Sequence, residues 1–510
     1  MSRLTKITLL LGIFFALDKC IALLRQVIIA RQFGLSAELD AFNVANNVPD
    51  LLFALISGGA LAVAFIPVLT ETLTKEGQNS LWVLFSRIAN IAFLVTGIFA
   101  ILIAIFAGKM VGWELGIAPG FVGSQQMLVV NLMRLNLAAT LIFSISGLVM
   151  AGLQANQHFF LPALAPIFYN LGQIFGAVFF APEKGYVIKG ITLPTLGLGV
   201  YGLVYGVIFG AMLHLIIQLP GLIRYKFHWS PSLGLDNPAV RKVLRLMGPR
   251  VINILFVQLV FIVRDNLGSR LQEGAVTALT YGWMIQQVPE TLIGTAIGTA
   301  LLPTLAEFVA LQEREKFKEI VEKAIKSLIA ITLPVAIILG LGLKPFIAVV
   351  FGFNDVQTGL MVWVTRGYLF GLVGHCLLEV GARSFFARQN AIIPLLGSAL
   401  NVIIYILVGS LLFRPFGAAG ISFTDSIAFT AQAVFILILL NRRVISPFSF
   451  SNTIVRALIA AAVGGTTVFL IQWWIGSGLN MIILGAASMI IGAFAAAPFV
   501  GKEIRLLVRL

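Results

Sequence analysis

Charge is what this sequence has least of. Only 11% of its 510 residues are Asp, Glu, Lys or Arg, where soluble proteins carry roughly 25%. Hydrophobic residues make up 59% and the mean hydropathy is +1.00. That balance excludes a soluble domain with a single anchor, because apolar runs long enough to span a bilayer recur from end to end. Cysteine is nearly absent. Cys20 and Cys376 both lie in apolar stretches, so neither a disulfide framework nor a cysteine-based metal site is expected. No G-x-x-x-x-G-K-[ST] segment occurs, which argues against ATP hydrolysis by the chain itself. No catalytic triad or paired-carboxylate signature stands out either, so the chain reads as a non-enzyme that needs no cofactor.

The few charges present are mostly basic, giving a net charge of +14. The bases sit in alternate short loops: Arg3/Lys6, Arg224 to Arg245, Arg314 to Lys326, Arg383/Arg388, Arg442/Arg443 and Lys502 to Arg509. Intervening loops such as 108–124 and 344–358 are poor in base. This is the positive-inside pattern, which places both termini in the cytoplasm and leaves no need for a nucleic-acid partner. Arg3 and Lys6 followed by an apolar run mimic a signal peptide. No small-residue cleavage site precedes Asp18, however, and the reading is a retained first span.

Fourteen spans of membrane length are expected, giving an all-α polytopic membrane protein. Residues 1–221 hold six, a basic linker follows at 222–245, and 246–443 hold six more. Residues 444–510 hold the last two. The segment LQEREKFKEIVEKAIK (311–326) is patterned as an amphipathic helix on the membrane surface, ahead of a span near 327–350. The sequence also repeats itself. VPDLLFALISGGALAVAFIPVLTE, ending at Glu71, is echoed by VPETLIGTAIGTALLPTLAE, ending at Glu307. Gln157, Pro162 and Asn170 are echoed by Gln389, Pro394 and Asn401, and Gly202 and Arg224 by Gly420 and Arg442. Six spans per repeat give both halves the same orientation. The expected architecture is two pseudo-symmetric six-helix lobes plus two C-terminal helices, with substrate between the lobes.

Polar residues interrupt particular spans. Asp40, Asn43, Asn47 and Asp50 fall at steps of three, four and three, one narrow stripe on a helix. Ionisable groups inside a bilayer are costly unless they face protein or water. The stripe therefore lines a cavity, or else ties helices together by hydrogen bonds. Span one carries Asp18, Lys19 and Arg25. Span seven carries Arg250, Asn253 and Arg264, flanked by Asp265, and span eight carries Thr277, Thr280, Gln287 and Thr291. Four helices around one hydrated cavity is the economical arrangement. Lys19, Arg25, Arg250 and Arg264 suit an anion bearing phosphates, since Arg offers a planar fork and Lys a point charge. The alternative for each base is an internal ion pair. Asp265, Asn401, Thr424 and Asp425 are candidate oxygen ligands for a small cation, or an ordinary hydrogen-bonded cluster. His375 and Glu379 are four apart, as are Glu379 and Arg383, a spacing that suits helix pairing better than a metal site.

The stretch from Arg25 through RQVIIARQFG, LSAELDAFNVANNVP and GGALAVAFIPVLTE resembles the opening signature of the MurJ (MviN) family. So do VPETLIGTAIGTALLPTLAE, LPALAPIFYN at 161–170 and FFARQNAIIP at 385–394. The resemblance covers nearly the whole chain. It implies a flippase of the multidrug/oligosaccharidyl-lipid/polysaccharide exporter superfamily in the bacterial inner membrane. The substrate would be lipid II, the undecaprenyl-pyrophosphate-linked peptidoglycan precursor. It implies helices 1, 2, 7 and 8 around a cationic cavity and an apolar groove on helices 13 and 14 for the polyprenyl tail. By position, Arg25 matches the family's span-one arginine, Asp40 the acid of its D-A-F motif, and Thr277 a cavity hydroxyl. Asp265 and Asn401 match positions linked in some members to sodium. Where the family has Ser-Arg in span one, this chain has Asp18-Lys19. Phe53 and Ala54 replace arginines after the span-two proline, and Met284 replaces one in span eight.

The expected function is export of lipid II by alternating access, with Lys19, Arg25, Asp40, Asn47, Arg250, Arg264, Thr277 and Gln287 contacting the substrate. Membrane potential, Na+ or H+ would drive it. The expected partners are a lipid-linked glycan pyrophosphate, membrane lipids and cell-wall synthesis enzymes. Three alternatives stand beside it: a flippase for another polyprenyl-linked glycan, a cation-coupled drug exporter, and a non-transporting cell-wall scaffold.

Overall fold

The structure, a computed structural model, describes residues 3–58, 60–188, 190–442, 450–475 and 481–508. The junction at 443–444 and the bases Arg443 and Arg509 lie outside the described residues, as do the side chains of Arg3, Lys6 and Arg250. The chain divides into two compact units, Met1–Asn266 and Leu267–Leu510.

In the first unit the helices run α1 (Arg3–Phe33), α2 (Ala37–Phe53), α3 (Ala60–Glu76), α4 (Gln78–Gly112), α5 (Gly123–Ala155) and α6 (Phe160–Phe175). A two-residue hairpin of β1 (Val187–Ile188) and β2 (Ile191–Thr192) precedes α7 (Val200–Ile216), α8 (Leu219–Arg224) and α9 (Pro238–Gly268). The unit boundary falls in the last turn of α9. The second unit holds α10 (Ala275–Pro289), α11 (Ala296–Ala310), α12 (Arg314–Gly342), α13 (Lys344–Phe351), α14 (Asp355–Phe370) and α15 (Leu372–Ala387). It ends with α16 (Ile392–Asn441), α17 (Ser451–Ile475) and α18 (Met481–Val508).

Among the described residues, 11 helical segments are long and apolar enough to cross a membrane. One of these, α16, is two spans, because Pro415 and the left-handed Gly417 (φ 58°) break it. With α1 and the α2–α3 segment added, the fourteen membrane-length segments expected from sequence are accounted for. The fold is all-α and polytopic.

Local chemistry sets the breaks. Gly34 (φ 62°) ends α1, and the Ser36 hydroxyl then caps α2 by accepting from the Leu39 amide at 3.2 Å. The repeat seen in the sequence has a structural counterpart. Pro49 and Pro289 each sit inside a helix, and each is followed within a few residues by a π-helical segment, Ala54–Gly58 and Glu290–Thr295. A proline removes one intrahelical hydrogen bond and crowds the preceding turn, and a π-bulge absorbs the misfit. One difference from expectation concerns 311–326. Its residues from Arg314 form the first half of α12, continuous with the following span, because no Gly or Pro occurs between Arg314 and Leu333. Its charges pair along the helix, Lys323 with Glu319 at 2.7 Å and Lys326 with Glu322 at 2.6 Å. Its apolar face is buried through Phe317, Val321 and Ile325.

Packing within each unit relies on small residues. Lipid tails give apolar helices no hydrophobic reason to associate, so close approach of backbones has to supply van der Waals contact. On α6 and its π-helical end, Gly172 and Gly176 face Gly210 and Gly206 of α7. A Cβ at Gly176 would lie 2.4 Å from the Gly206 Cα. Elsewhere in this unit Trp82, Phe85 and Phe227 meet edge to face at 5.2–5.5 Å. In the second unit α17 and α18 pack on each other and on α12, with Arg456 bound to Glu503 at 3.2 Å.

The basic linker after α8 is strapped down. Trp82, Ser86 and Asn90 occupy one face of α4 at intervals of four. The Trp82 indole donates to the Tyr225 carbonyl at 2.8 Å, and the Asn90 amide to the Ser230 and Ser232 carbonyls at 2.7 and 2.9 Å. Trp229 donates back to Asn90 Oδ1 at 2.8 Å. The last part of the expected linker, from Pro238, already belongs to α9, and there Lys242 Nζ lies 2.6 Å from Glu71 Oε2, while Lys75 holds the other oxygen at 2.8 Å. Hydrogen bonding to Lys242, then to Lys75, lowers the Glu71 carboxyl from 4.5 to about 2. A depressed carboxyl stabilises the fold above its unfolded pKa and loses that contribution as the pH falls through the folded value. Asn90→Ala is therefore expected to raise tryptic cleavage after Lys226 several-fold at pH 7. The Lys242–Glu71 clasp of the wild type opens only as the pH approaches 2, which pepsin digestion can follow. Equal cleavage of Asn90→Ala and wild type would contradict the ladder.

Candidate functional site

In the first unit the polar residues of span one are organised by a residue on another helix. Asn170 of α6 accepts from Arg25 Nη1 at 2.8 Å through its Oδ1, and donates its Nδ2 to Asp18 Oδ1 at 2.8 Å. The same Nδ2 reaches the Pro166 carbonyl at 3.2 Å. Asp18 and Arg25, two turns apart on α1, are thus bridged by one buried amide. Lys19 is exposed on the adjoining face of α1. Asn170 entered the sequence reading only through its echo in Asn401; its bridging role needed the packing of α1 on α6.

The α2 stripe runs from buried to exposed. Asp40 is buried, Asn43 and Asn47 are half-buried, and Asp50 is exposed. The neighbouring Asn46 accepts from Asn136 of α5 at 2.6 Å. Asn47 donates to Asp265 Oδ2, and Asp265 Oδ1 accepts from Arg264 Nε at 2.8 Å. Arg264 and Asp265 are both buried, and the guanidinium stacks over the Phe261 ring at 5.0 Å. Of the two readings open for Arg264, the structure places it in an internal ion pair, with its sequence neighbour and tied through that acid to the α2 stripe. Two charges taken into a low-dielectric interior repay their desolvation only when well paired.

In the second unit Thr277 is fully buried. Gln287 donates to Glu290 Oε2 at 2.7 Å, and Gln286 reaches the same oxygen at 3.2 Å. Glu290 heads the π-helical segment, directly after Pro289, as Asp50 directly follows Pro49. Among the candidate cation ligands, the Thr424 hydroxyl donates to the Gly420 carbonyl at 2.8 Å, and Asp425 lies 2.9 Å from His375 Nε2. Asn401 is buried with neither amide atom hydrogen-bonded, which suits an oxygen ligand waiting for a small cation. No group of three or more His, Cys, Asp or Glu among the described residues is arranged to hold a metal ion. The Glu379–Arg383 helix pair forms at 2.5 Å. Of the two single bases, Arg134 donates to the Ala104 carbonyl at 3.0 Å, and Arg87 packs against Gly234 of the linker. Sequence reasoning missed the alliance of His375 with Glu290 and Asp425, because three separate segments supply it.

Comparisons with known proteins converge. The family model described as lipid II flippase MurJ matches residues 29–493. A relative named lipid II flippase MurJ, from Burkholderia cenocepacia, is 28% identical over 440 residues, covering 84% of this chain and 82% of the relative. A probable lipid II flippase MurJ from Buchnera aphidicola subsp. Acyrthosiphon pisum is 26% identical over 484 residues, covering 92% and 91%. Among solved structures, a lipid II flippase MurJ in an inward closed conformation superposes with a TM-score of 0.78 at 20% identity, covering 98% of this chain and all of that one. An inward-facing multidrug resistance MATE transporter of the MOP superfamily gives 0.67 at 16% identity over 84% of this chain and 94% of its own. The structural likenesses speak for the fold.

The buried pair makes a sharp prediction. Asp265→Ala removes the buried acid that neutralises Arg264, at a cost of about 3–5 kcal/mol. The yield of monodisperse protein and its melting temperature should fall accordingly. The double variant Arg264→Met/Asp265→Leu should recover most of that loss. A single variant as stable as wild type would show that the pair is not a structural element.

Proposed function

We propose that this chain, which belongs to the lipid II flippase MurJ family, translocates lipid II across the bacterial inner membrane by alternating access. It acts as a transporter and not as an enzyme. The observation that carries the reading is the Asn170 bridge. It holds the Arg25 guanidinium at a fixed place on α1, six residues along the helix from the exposed Lys19. A planar fork and a point charge on one helix match a pyrophosphate, whose oxygens take both kinds of donor. Asp50 and the half-buried Asn47 would face the sugar and peptide hydroxyls and amides of the head group, and the buried Asp40 would act through the packing of α2.

Arg264 has a different part in this account. Its charge is taken up by Asp265, and through Asp265 it positions Asn47, so it shapes the α2 stripe rather than gripping phosphate. Arg250, Thr277 and Gln287 complete the proposed substrate set. Thr277, being buried, acts through the packing of α10, and Gln287 acts through Glu290. The polyprenyl tail stays in the membrane against α17 and α18, which present Phe469, Trp473 and Phe494 outward. Both termini face the cytoplasm, as the basic loops require. In a cell that is negative inside, each anionic charge carried outward gains about 2.3 kcal/mol per 100 mV, so the potential itself favours export. Sodium held by Asn401, Thr424 and Asp425 is a second source of drive. Cell-wall synthesis enzymes are the proposed protein partners, since they consume what this chain delivers.

The drug-exporter and scaffold alternatives require less of α1. An exporter of cations has no use for an arginine positioned on its transport path, and a scaffold would tolerate its loss. Arg25→Ala, expressed at the wild-type level in a bacterium depleted of its own lipid II flippase, is expected to abolish rescue of growth. Asn170→Ala is expected to weaken rescue, and Arg25→Lys to retain part of it. Full rescue by Arg25→Ala would remove the assigned role.

A further inference from the structure

Two arginines lie inside apolar spans and take no part in the head-group site. Arg134 stands on α5 and Arg366 on α14, and each makes the same bond. Arg134 Nε donates to the Ala104 carbonyl of α4 at 3.0 Å, and Arg366 Nε to the Gly340 carbonyl of α12 at 2.7 Å. Both acceptors are small residues, which leave the side of a helical carbonyl open to a second donor. The two arginines are repeat partners. They are 232 positions apart, the interval that also separates Gln157 from Gln389 and Pro162 from Pro394. Gln125, Leu128, Val130 and Leu137 around the first recur at the same interval as Gln357, Leu360, Val362 and Leu369 around the second. Ala104 and Gly340 are 236 positions apart, as are Pro67 and Pro303. One bond therefore recurs in both units, from matching donors to matching acceptors.

Each arginine sits on an outward apolar face. Arg134 is exposed and in line with the exposed Met127, and α4 beside it turns out Ile101, Leu102 and Ile105. Arg366 is half-buried between the exposed Trp363 and Phe370 of the same helix face, and its guanidinium covers the Trp363 ring at 5.1 Å. Among the described residues neither guanidinium has an acid or a further hydrogen bond. The Nε bond fixes each plane, and the edge carrying Nη1 and Nη2 is left without a protein partner.

Depth decides what can meet that edge. The apolar segments Gly123–Ala155 and Asp355–Ala387 are both 33 residues long, and each arginine is the twelfth residue of its segment. It lies five residues from the segment's centre, about 7–8 Å at the rise of an α-helix. A hydrocarbon core roughly 30 Å thick leaves about as much again to the nearer boundary, which a long side chain spans in good part. Both segments begin beside a base-poor loop, 108–124 or 344–358, so the nearer boundary is the outer one. A charge on a lipid-facing surface has to be met by water or by an anion. The anion a bilayer supplies at its wet boundary is phosphate, and a guanidinium edge takes phosphate through two parallel N–H bonds.

We propose that Arg134 and Arg366 are two repeat-related lipid sites, one on each unit, each binding the headgroup phosphate of an outer-leaflet phospholipid. The occupant is bulk phospholipid because it surrounds both units alike, whereas one transported lipid does not account for the same site in two copies. Binding fixes the depth of α5 and α14 in the outer leaflet. Only the choice of leaflet rests on the orientation proposed above, and the sites do not depend on the flippase reading.

The test uses the full-length protein, its arginine side chains labelled with 15N, in nanodiscs of phosphatidylglycerol and phosphatidylcholine. Solid-state NMR reads which guanidinium nitrogens are coupled to lipid 31P. In Arg134→Gln and in Arg366→Gln one phosphorus-coupled signal should disappear, and in the double variant both. Signals that vanish in the variants but carry no phosphorus coupling in the wild type overturn the sites. So does coupling that appears only after a polyprenyl pyrophosphate is added, which would give the sites to the transported class of lipid. Arg134→Lys and Arg366→Lys keep the charge without the fork, and serve where a glutamine variant does not fold. Native mass spectrometry should show several-fold less phosphatidylglycerol carried through delipidation by each lysine variant than by the wild type. Equal retention overturns the sites.

Discussion

Hydrocarbon offers a polar side chain no partner, so each polar group on a membrane-spanning helix has to be matched inside the protein or turned toward water. That constraint organises this chain. Where Asp18 and Arg25 stand two turns apart on α1, a single amide, Asn170, satisfies both. Where Arg264 enters the interior, its own neighbour Asp265 neutralises it, and the spare carboxylate oxygen holds Asn47 of α2. Where Glu290 interrupts a helix at the π-helical segment, two glutamines and a histidine gather on it. Each match joins two or more helices within its unit, so the residues that make transport chemistry possible also tie the helices together.

The same economy explains the apolar framework. Glycines on α6 and α7 let two backbones nearly touch, which replaces the hydrophobic drive that lipid removes. Prolines at 49 and 289 and the π-helical segments beyond them weaken two helices at matching places in the repeat. Weak points of this kind sit beside the acids Asp50 and Glu290. A helix that must change shape during transport is served by such a defect.

Much of this was legible in the sequence. Hydropathy and length set the fourteen spans, and the repeated VPD/VPE segments marked the two equivalent helices. The step pattern of Asp40, Asn43, Asn47 and Asp50 placed these residues on one face, because helical periodicity is a local property. The partners were not legible. Nothing local says that Asn170 reaches α1, that Arg264 prefers Asp265 to an acid farther away, or that Asp425 approaches His375 across 50 residues. The amphipathic reading of 311–326 was right in pattern, yet its separation from the following span was not visible as false, since the sequence there lacks a breaker and the charges simply continue one helix. The VPD/VPE echo set Glu290 where Asp50 stands in the first repeat, but nothing in the sequence singled Glu290 out or supplied the histidine.

The most direct test of the account is outward movement of lipid II itself. The purified chain would be reconstituted into vesicles containing labelled lipid II, with a membrane potential imposed, and the label exposed on the far leaflet would be read with an impermeant quencher. The account predicts exposure that grows with the potential and needs the chain. Exposure no faster than in protein-free vesicles, together with movement of a different polyprenyl-linked glycan, would contradict it.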